Sequence, residues 1–218
     1  MAASSTRRAQ SPAGAPPDNA RTRLLRAALH LVRAKGYNAT SVEELCTAAG
    51  VTKGAFFHHF PSKEALAIAA AGFWSETTGA LFATAPYHSH ADPLDRVLGY
   101  IDFRASLLNG PVEAFTCLVG TMVQETFATS PAIRDACDAS ISDHAGKLEA
   151  DIEAAMVKYA VTGTTAQSLA LHTQAVLQGA FILAKARGGP QEAADSVRHL
   201  KTYFLLLFRA PSKRKGSR

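Results

Sequence analysis

The sequence predicts an all-α fold, on three observations. Between its two ends the apolar residues recur at helical spacing. No run shows the turn-bounded, period-two alternation of a sheet. Glycine and proline then punctuate the helical runs at Gly36, Gly50, Pro93, Asn109-Gly110-Pro111, Ser130-Pro131 and Gly188-Gly189-Pro190. About nine helices follow from this spacing.

The first helix runs from Asn19 or Thr22 to Lys35. Leu25, Ala28, Leu29 and Val32 fall at i, i+3, i+4 and i+7, Leu24 and Leu31 widen the buried face, and Gly36 supplies the stop. Ser41 or Thr40 caps a short second helix in which Val42, Leu45, Cys46 and Ala49 share a face, and Gly50 breaks it. Thr52 caps the third. Ser62 caps a long fourth helix, through about Thr84, that bears Phe73, Trp74 and Phe82 and acts as a lever between the start of the chain and the rest.

Pro93 to Leu108, Val112 to Ala128 and Pro131 to Tyr159 are the next three helices. In the middle one Phe115, Leu118, Val119 and Met122 make a core face. Cys117, Thr121 and Gln124 make a polar stripe on another face, with Glu125 beside it. Thr165 to Arg187 and Gln191 to Arg209 close the chain as a helical hairpin. Leu205, Leu206 and Leu207 render its final turns apolar nearly all round, and such a helix is buried on every side. A two-fold partner contributing the same hairpin, to give a four-helix bundle between subunits, is the natural arrangement. A longer core within one subunit is the competing account and predicts a monomer.

With 47% hydrophobic residues in 218, the chain can bury one or two ordinary cores. Its longest apolar stretch near the C-terminus, Phe204 to Phe208, is far short of the ~18 residues of a membrane span, so no membrane partner is expected. Cys46, Cys117 and Cys137 are too few and too scattered for a disulfide framework or a Cys-x-x-Cys zinc site, which fits a reducing cytoplasm. The net charge of +5 is unevenly placed: residues 1–26 carry five Arg and one Asp, and residues 209–218 carry five basic residues and no acid. Between them the chain is basic up to residue 63 and acidic afterwards. Residues 1–20 read as a disordered basic arm, 21–66 as a small domain meeting a polyanion, 67–209 as a larger domain and 210–218 as a basic tail. Solvated surface charge is the plainer alternative.

Residues 40–60 carry the most information. Two short helices meet at the turn Ala49-Gly50-Val51, with Val51 and Phe56 placed to lock them, which is helix-turn-helix spacing. A helix from Thr52 to about His58 is ~10 Å long, comparable with the ~12 Å width of the DNA major groove. Its first turn offers backbone N–H groups, the Thr52 hydroxyl and the Lys53 ammonium to phosphates. Gly54 permits close approach, although tight packing on the preceding helix explains a glycine equally well.

Thr40-Ser41-Val42-Glu43-Glu44-Leu45, Ala48 to Gly54 and Phe56 to Leu66 resemble the DNA-binding domain of the TetR/AcrR family of bacterial transcriptional repressors, and the match extends over roughly residues 22–72. Beyond it the likeness is one of length and helical character. The resemblance implies that Thr40, Thr52, Gly54, His59 and Lys63 touch phosphates, with Ser41 beside them, while Lys53, Ala55 and His58 face base edges. Phe57 stands where the family commonly has tyrosine, so it keeps the packing or sugar contact and loses one hydrogen bond. Phe56 and Phe60 belong to the core.

Other chemistries find less support. Adjacent helical residues point about 100° apart, so His58 and His59 do not chelate one ion. His88-Ser89-His90 with Asp92 is a better metal candidate, but a polar surface loop is the favoured reading, and no metal or cofactor is assigned. No phosphate-loop, nucleophile-elbow, His-Glu-x-x-His or dinucleotide motif is present, and the chain is not read as an enzyme. A ligand pocket is placed among Trp74, Thr77, Thr78, Tyr100, Phe103, Arg104, Cys117, Thr121, Gln124 and His172. There Arg104 either selects an anionic effector or pairs with Asp102, and Cys117 is a sensor or an inert core thiol. The function expected is a homodimeric repressor on palindromic double-stranded DNA, released by a small-molecule effector. A small helical enzyme or carrier, or a DNA-binding activator, is the alternative.

Overall fold

The computed structural model describes residues 19–208. The expected arm and tail therefore lie almost wholly outside the described residues. Within them the chain is helical with no strand: α1 Ala20–Lys35, α2 Val42–Ala49, α3 Lys53–His59, α4 Lys63–Ala83, a 3-10 turn at Pro86–Ser89, α5 Pro93–Ser106, α6 Val112–Phe115, α7 Leu118–Thr126, α8 Pro131–Tyr159, α9 Ala166–Arg187 and α10 Gln191–Leu207.

The ends of these helices follow local chemistry. Asn19 caps α1 by accepting from the Thr22 amide at 2.9 Å. Ser41 and Glu44 form a capping box at the start of α2, and Gly50, at φ +61°, ends it in the left-handed conformation that glycine adopts without strain. Ser62, Ser130 and Thr165 cap α4, α8 and α9 through their hydroxyls.

The expected helix from Val112 to Ala128 is instead two, α6 and α7, because Thr116 and Cys117 adopt extended backbone. Backbone groups freed by the break acquire other partners. Arg33 donates to the Ala114 oxygen at 3.2 Å, and the Cys117 sulfur accepts from the Gly120 amide at 3.5 Å. This break makes ten α-helices among the described residues where about nine were expected.

Two apolar cores hold the fold. One joins Leu24, Leu25, Leu45, Phe56, Phe60, Leu66 and Phe73 of α1–α4 to Leu118, Val119 and Met122 of α7 and to Ile133 and Cys137 of α8. The other gathers α5, α8, α9 and α10 around Val97, Ile101, Ile152, Leu177 and Phe204. Each fully buried Leu or Phe contributes about 1.5–3 kcal/mol. The last helix is not buried on every side within one chain, since Leu205 and Leu206 are 42% and 56% exposed. Leu171, Ile182 and Leu183 of α9 and Tyr203 of α10 are exposed as well.

Candidate nucleic-acid interface and ligand cavity

Helix α3 separates packing from presentation. Phe56 and Phe60 are buried against α1 and α2, whereas Phe57 is 53% exposed and Lys53, Gly54 and His58 face solvent. Ala55 and His59 are half-buried at its edges. Thr52 caps the helix by accepting from the Ala55 amide at 3.1 Å. A Cβ added to Gly54 would meet nothing nearer than the Thr52 hydroxyl at 3.7 Å, so packing on the preceding helix does not account for this glycine. Lys53 reaches Glu43 at 3.4 Å in an exposed pair that restrains it little.

Three of the expected DNA contacts are engaged within the protein. Thr40 is 1% exposed, and its hydroxyl donates to the Gly36 carbonyl at 2.6 Å. The Lys63 ammonium donates to the Tyr37 and Thr40 carbonyls at 3.0 and 2.9 Å and lies 4.2 Å from the centre of the Tyr37 ring. Partial burial draws its pKa below the ordinary lysine value. Lys63 thus closes the α1–α2 loop. Ser41 is exposed, but its hydroxyl both caps α2 and donates to Glu44. Lys35, on the same carboxylate, is the foremost of the groups holding Glu44 at about 2.

A cavity of about 310 Å³ lies between α4, α5, α8 and α9, closed by the ends of α1 and α6. Trp74, Thr77, Thr78, Arg104 and Cys117 line it, as expected from the sequence. Tyr100 and Phe103 sit behind the wall: Tyr100 is 2% exposed and bonded to Arg104, and Phe103 packs edge-on against Phe82 at 5.2 Å. The structure does not bring Thr121, Gln124 or His172 to the cavity. Helix α7 turns its apolar face into the first core, leaving the Thr121 hydroxyl to accept from Lys185 at 2.7 Å and Gln124 exposed. His172 is exposed on α9, its ring 5.2 Å from that of Tyr203.

Sequence reasoning missed the α8 and α9 walls. Ser140, His144 and Lys147 line the cavity from one helix and Gln174, Gln178 and Phe181 from the other, each trio at i, i+4, i+7. That spacing was the available signal. Arg33 was missed too. It reaches the cavity from α1, its guanidinium 5.1 Å from the centre of the Trp74 ring, and burial lowers its pKa.

Polar order in the wall centres on His144. Its Nε2 accepts from Arg104 at 2.8 Å and lies 2.9 Å from the Tyr100 hydroxyl. Burial, and then the neighbouring charges of Arg104 and Lys147, push its pKa down to about 3, so the imidazole is neutral. Arg104 does not pair with Asp102, which both oxygens commit to Lys201 at 2.7 Å. Across the fold, Glu125 of α7 accepts from the amides of Tyr37 and Asn38 and so ties the second half of the chain to the end of α1.

His88 and His90 form no metal cluster. The His88 Nε2 lies 3.0 Å from the Phe82 carbonyl, and among the described residues no three His, Cys, Asp or Glu side chains gather as a metal site. Among the same residues no helix is long and apolar enough to cross a membrane.

Comparison with known proteins bears on both the head and the body. The pattern of the "Bacterial regulatory proteins, tetR family" matches residues 24–70, and that of the "Transcriptional regulator LmrA/YxaF-like, C-terminal domain" matches residues 93–192. The uncharacterized HTH-type transcriptional regulator YuxN of Bacillus subtilis is 42% identical over 55 residues, 25% of this chain, which spans about a fifth (19%) of that relative's length. YxaF of the same organism, another uncharacterized HTH-type transcriptional regulator, is 28% identical over 120 residues, 55% of this chain and 62% of its own. A crystal structure of a TetR transcriptional regulator from Chloroflexus aurantiacus superposes with a TM-score of 0.74 at 26% identity, covering 85% of this chain and 94% of that one. With one family pattern on the helix-turn-helix head and a second on the helical body, the chain belongs to the TetR family of bacterial transcriptional regulators.

Proposed function

We propose that the protein is a cytoplasmic, ligand-responsive repressor that binds a palindromic operator as a homodimer and is released by a small-molecule effector in the cavity. Thr52, Lys53, Gly54, Ala55, Phe57, His58 and His59 form its DNA face, with Ser41 at the edge. Phosphate contacts fall to the N-terminal side of α3 and to His59, and base contacts to Lys53, Ala55 and His58. The apolar side chains left uncovered on α9 and α10 support a second copy as their partner.

The observation that carries the reading is Arg33. It belongs to α1, which packs directly on α3, yet it lines the cavity and bonds the end of α6. An occupant touching Arg33 alters a contact of the DNA-binding head. Binding that favours one arrangement of the heads changes operator affinity by linkage.

The test is fluorescence anisotropy with the protein's own upstream DNA and a scrambled duplex, at two salt concentrations. Tight binding that discriminates by orders of magnitude at the higher salt supports the reading. Equal, weak binding to both duplexes speaks against that DNA as operator and directs the search to other genomic sites.

A further inference from the structure

Two guanidinium groups from different helices, Arg33 and Arg104, line one cavity, and among the described residues neither forms an ion pair. The charge of Glu113 acts on Arg33 without an ion pair among the described residues, and two further carboxylates are spent elsewhere. Asp102 belongs to Lys201, and Asp143, the only acidic residue on the cavity wall among those described, pairs with Lys147 at 2.7 Å.

Arg104 is held in place by neutral groups alone. Its Nε donates to the Tyr100 hydroxyl at 3.0 Å and one terminal nitrogen donates to His144, while its guanidinium carbon lies 4.4 Å from the centre of the Phe82 ring. The other terminal nitrogen makes no hydrogen bond to a described residue. A fixed cation beside an apolar wall, with no ion-pair partner among the described residues, is costly unless an anion completes it. Guanidinium is the side chain that best matches the planar, bidentate geometry of a carboxylate or sulfonate.

We propose that the cavity takes a small organic monoanion of the aromatic carboxylate or sulfonate class, its charge on Arg104 with Arg33 as second cation and its flat body against Trp74, Phe82 and Phe115. The volume, at the lower end of the ~300–1,000 Å³ of small-molecule sites, suits a compact ligand. This inference rests on the reading of the cavity as the effector site.

Trp74 is the chain's single tryptophan and stands on the cavity wall, so its fluorescence reports occupancy directly. Two probes are titrated: 8-anilino-1-naphthalenesulfonate and N-phenyl-1-naphthylamine, which share a skeleton and differ by the sulfonate. The sulfonate is expected to quench Trp74 at the lower concentration. Arg104→Met is expected to weaken it about tenfold and to leave the neutral probe within about twofold, whereas Arg104→Lys keeps part of the preference. Arg33→Met gives the same direction with a smaller loss, and it serves if Arg104→Met fails to fold by circular dichroism.

Equal quenching by both probes, unchanged in the variants, overturns the choice of an anion while leaving a ligand cavity in place. Failure of both probes to reach Trp74 overturns the cavity as an effector site and the anion with it.

Discussion

The Glu125 carboxylate on α7 accepts hydrogen bonds from the backbone amides of Tyr37 at 3.1 Å and Asn38 at 2.8 Å, capping the turn that leaves α1. The acid and the turn are far apart in sequence, and the contact binds head to body. A Cβ at Gly36 would collide with this carboxylate, and Gly36 also has φ +95°, so the turn is built around glycine and the acid together. Glu125→Ala should cost roughly 2 kcal/mol in urea unfolding, because each amide bond to a charged acceptor outweighs a neutral one. An unchanged urea midpoint would show that the turn holds without the clamp.

Lys63 and Lys53 should separate stability from recognition. Lys63→Met removes two charge-assisted hydrogen bonds and a ring contact, so a loss of about 1–3 kcal/mol in stability is expected. Lys53→Ala and His58→Ala alter exposed side chains, so their melting temperatures stay near that of the parent while operator discrimination falls by about 1–3 kcal/mol. Parallel thermal melts and anisotropy titrations check both. Identical behaviour of the Lys53 and Lys63 variants would refute this division.

Acid should destabilise the protein through His144. Its folded pKa of about 3 lies below the ordinary 6.5, so above pH 6.5 folded and unfolded chains are alike neutral there and the full stability is present. As pH falls from 6.5 toward 3 the unfolded chain binds a proton that the folded chain refuses, which removes up to about 1.4 kcal/mol per pH unit. Glu44 and Asp92, each held at about 2, lose their contributions only below the ordinary carboxylate range. Urea midpoints from pH 7 to 5 should therefore fall more steeply for the parent than for His144→Asn.

Ala160 ends α8 at φ +52°, the one non-glycine residue with positive φ among those described. Its amide and that of Val161 close the turn onto Val157 and Met156, so the left-handed geometry is needed there. Ala160→Gly should add about 0.5–1 kcal/mol, a rise of about 1–4 °C in Tm by calorimetry.

Leu206 should matter to assembly. Leu206→Glu on the exposed face of α10 is expected to shift light-scattering mass toward the monomer, whereas Val157→Glu on α8, at a site 79% exposed, leaves it unchanged. Equal masses for parent and both variants would remove the terminal hairpin as the dimer contact.

Helix positions were legible in the sequence wherever a cap or stop is local: Ser41, Thr52 and Ser62 cap the helices expected of them, and α1 and α8 begin beside Asn19 and Ser130, where starts were expected. The interruption at Thr116 and Cys117 was not, since neither glycine nor proline marks it and the partner of the freed Ala114 carbonyl, Arg33, comes from a distant helix. The same limit governed the cavity. Trp74, Thr77 and Thr78 lie on a single helix face that periodicity reveals, but Arg33 and His144 reach the wall only through tertiary packing of α1 and α8. The internal bonds of Thr40 and Lys63 were not legible for a related reason, because local sequence does not disclose that a loop carbonyl will claim a side chain.

Helix α3 keeps two ledgers on seven residues. Phe56→Ala would cost about 3–5 kcal/mol of folding free energy, whereas exchanges at Lys53, Phe57 or His58 stay within about 0.5 kcal/mol. Mutations on the outward face are thus nearly invisible to the folding equilibrium. A lineage carrying this head can wander through many outward surfaces without passing through an unfolded ancestor, so divergence of recognition is limited by the genes that must still be regulated and not by the stability of the regulator.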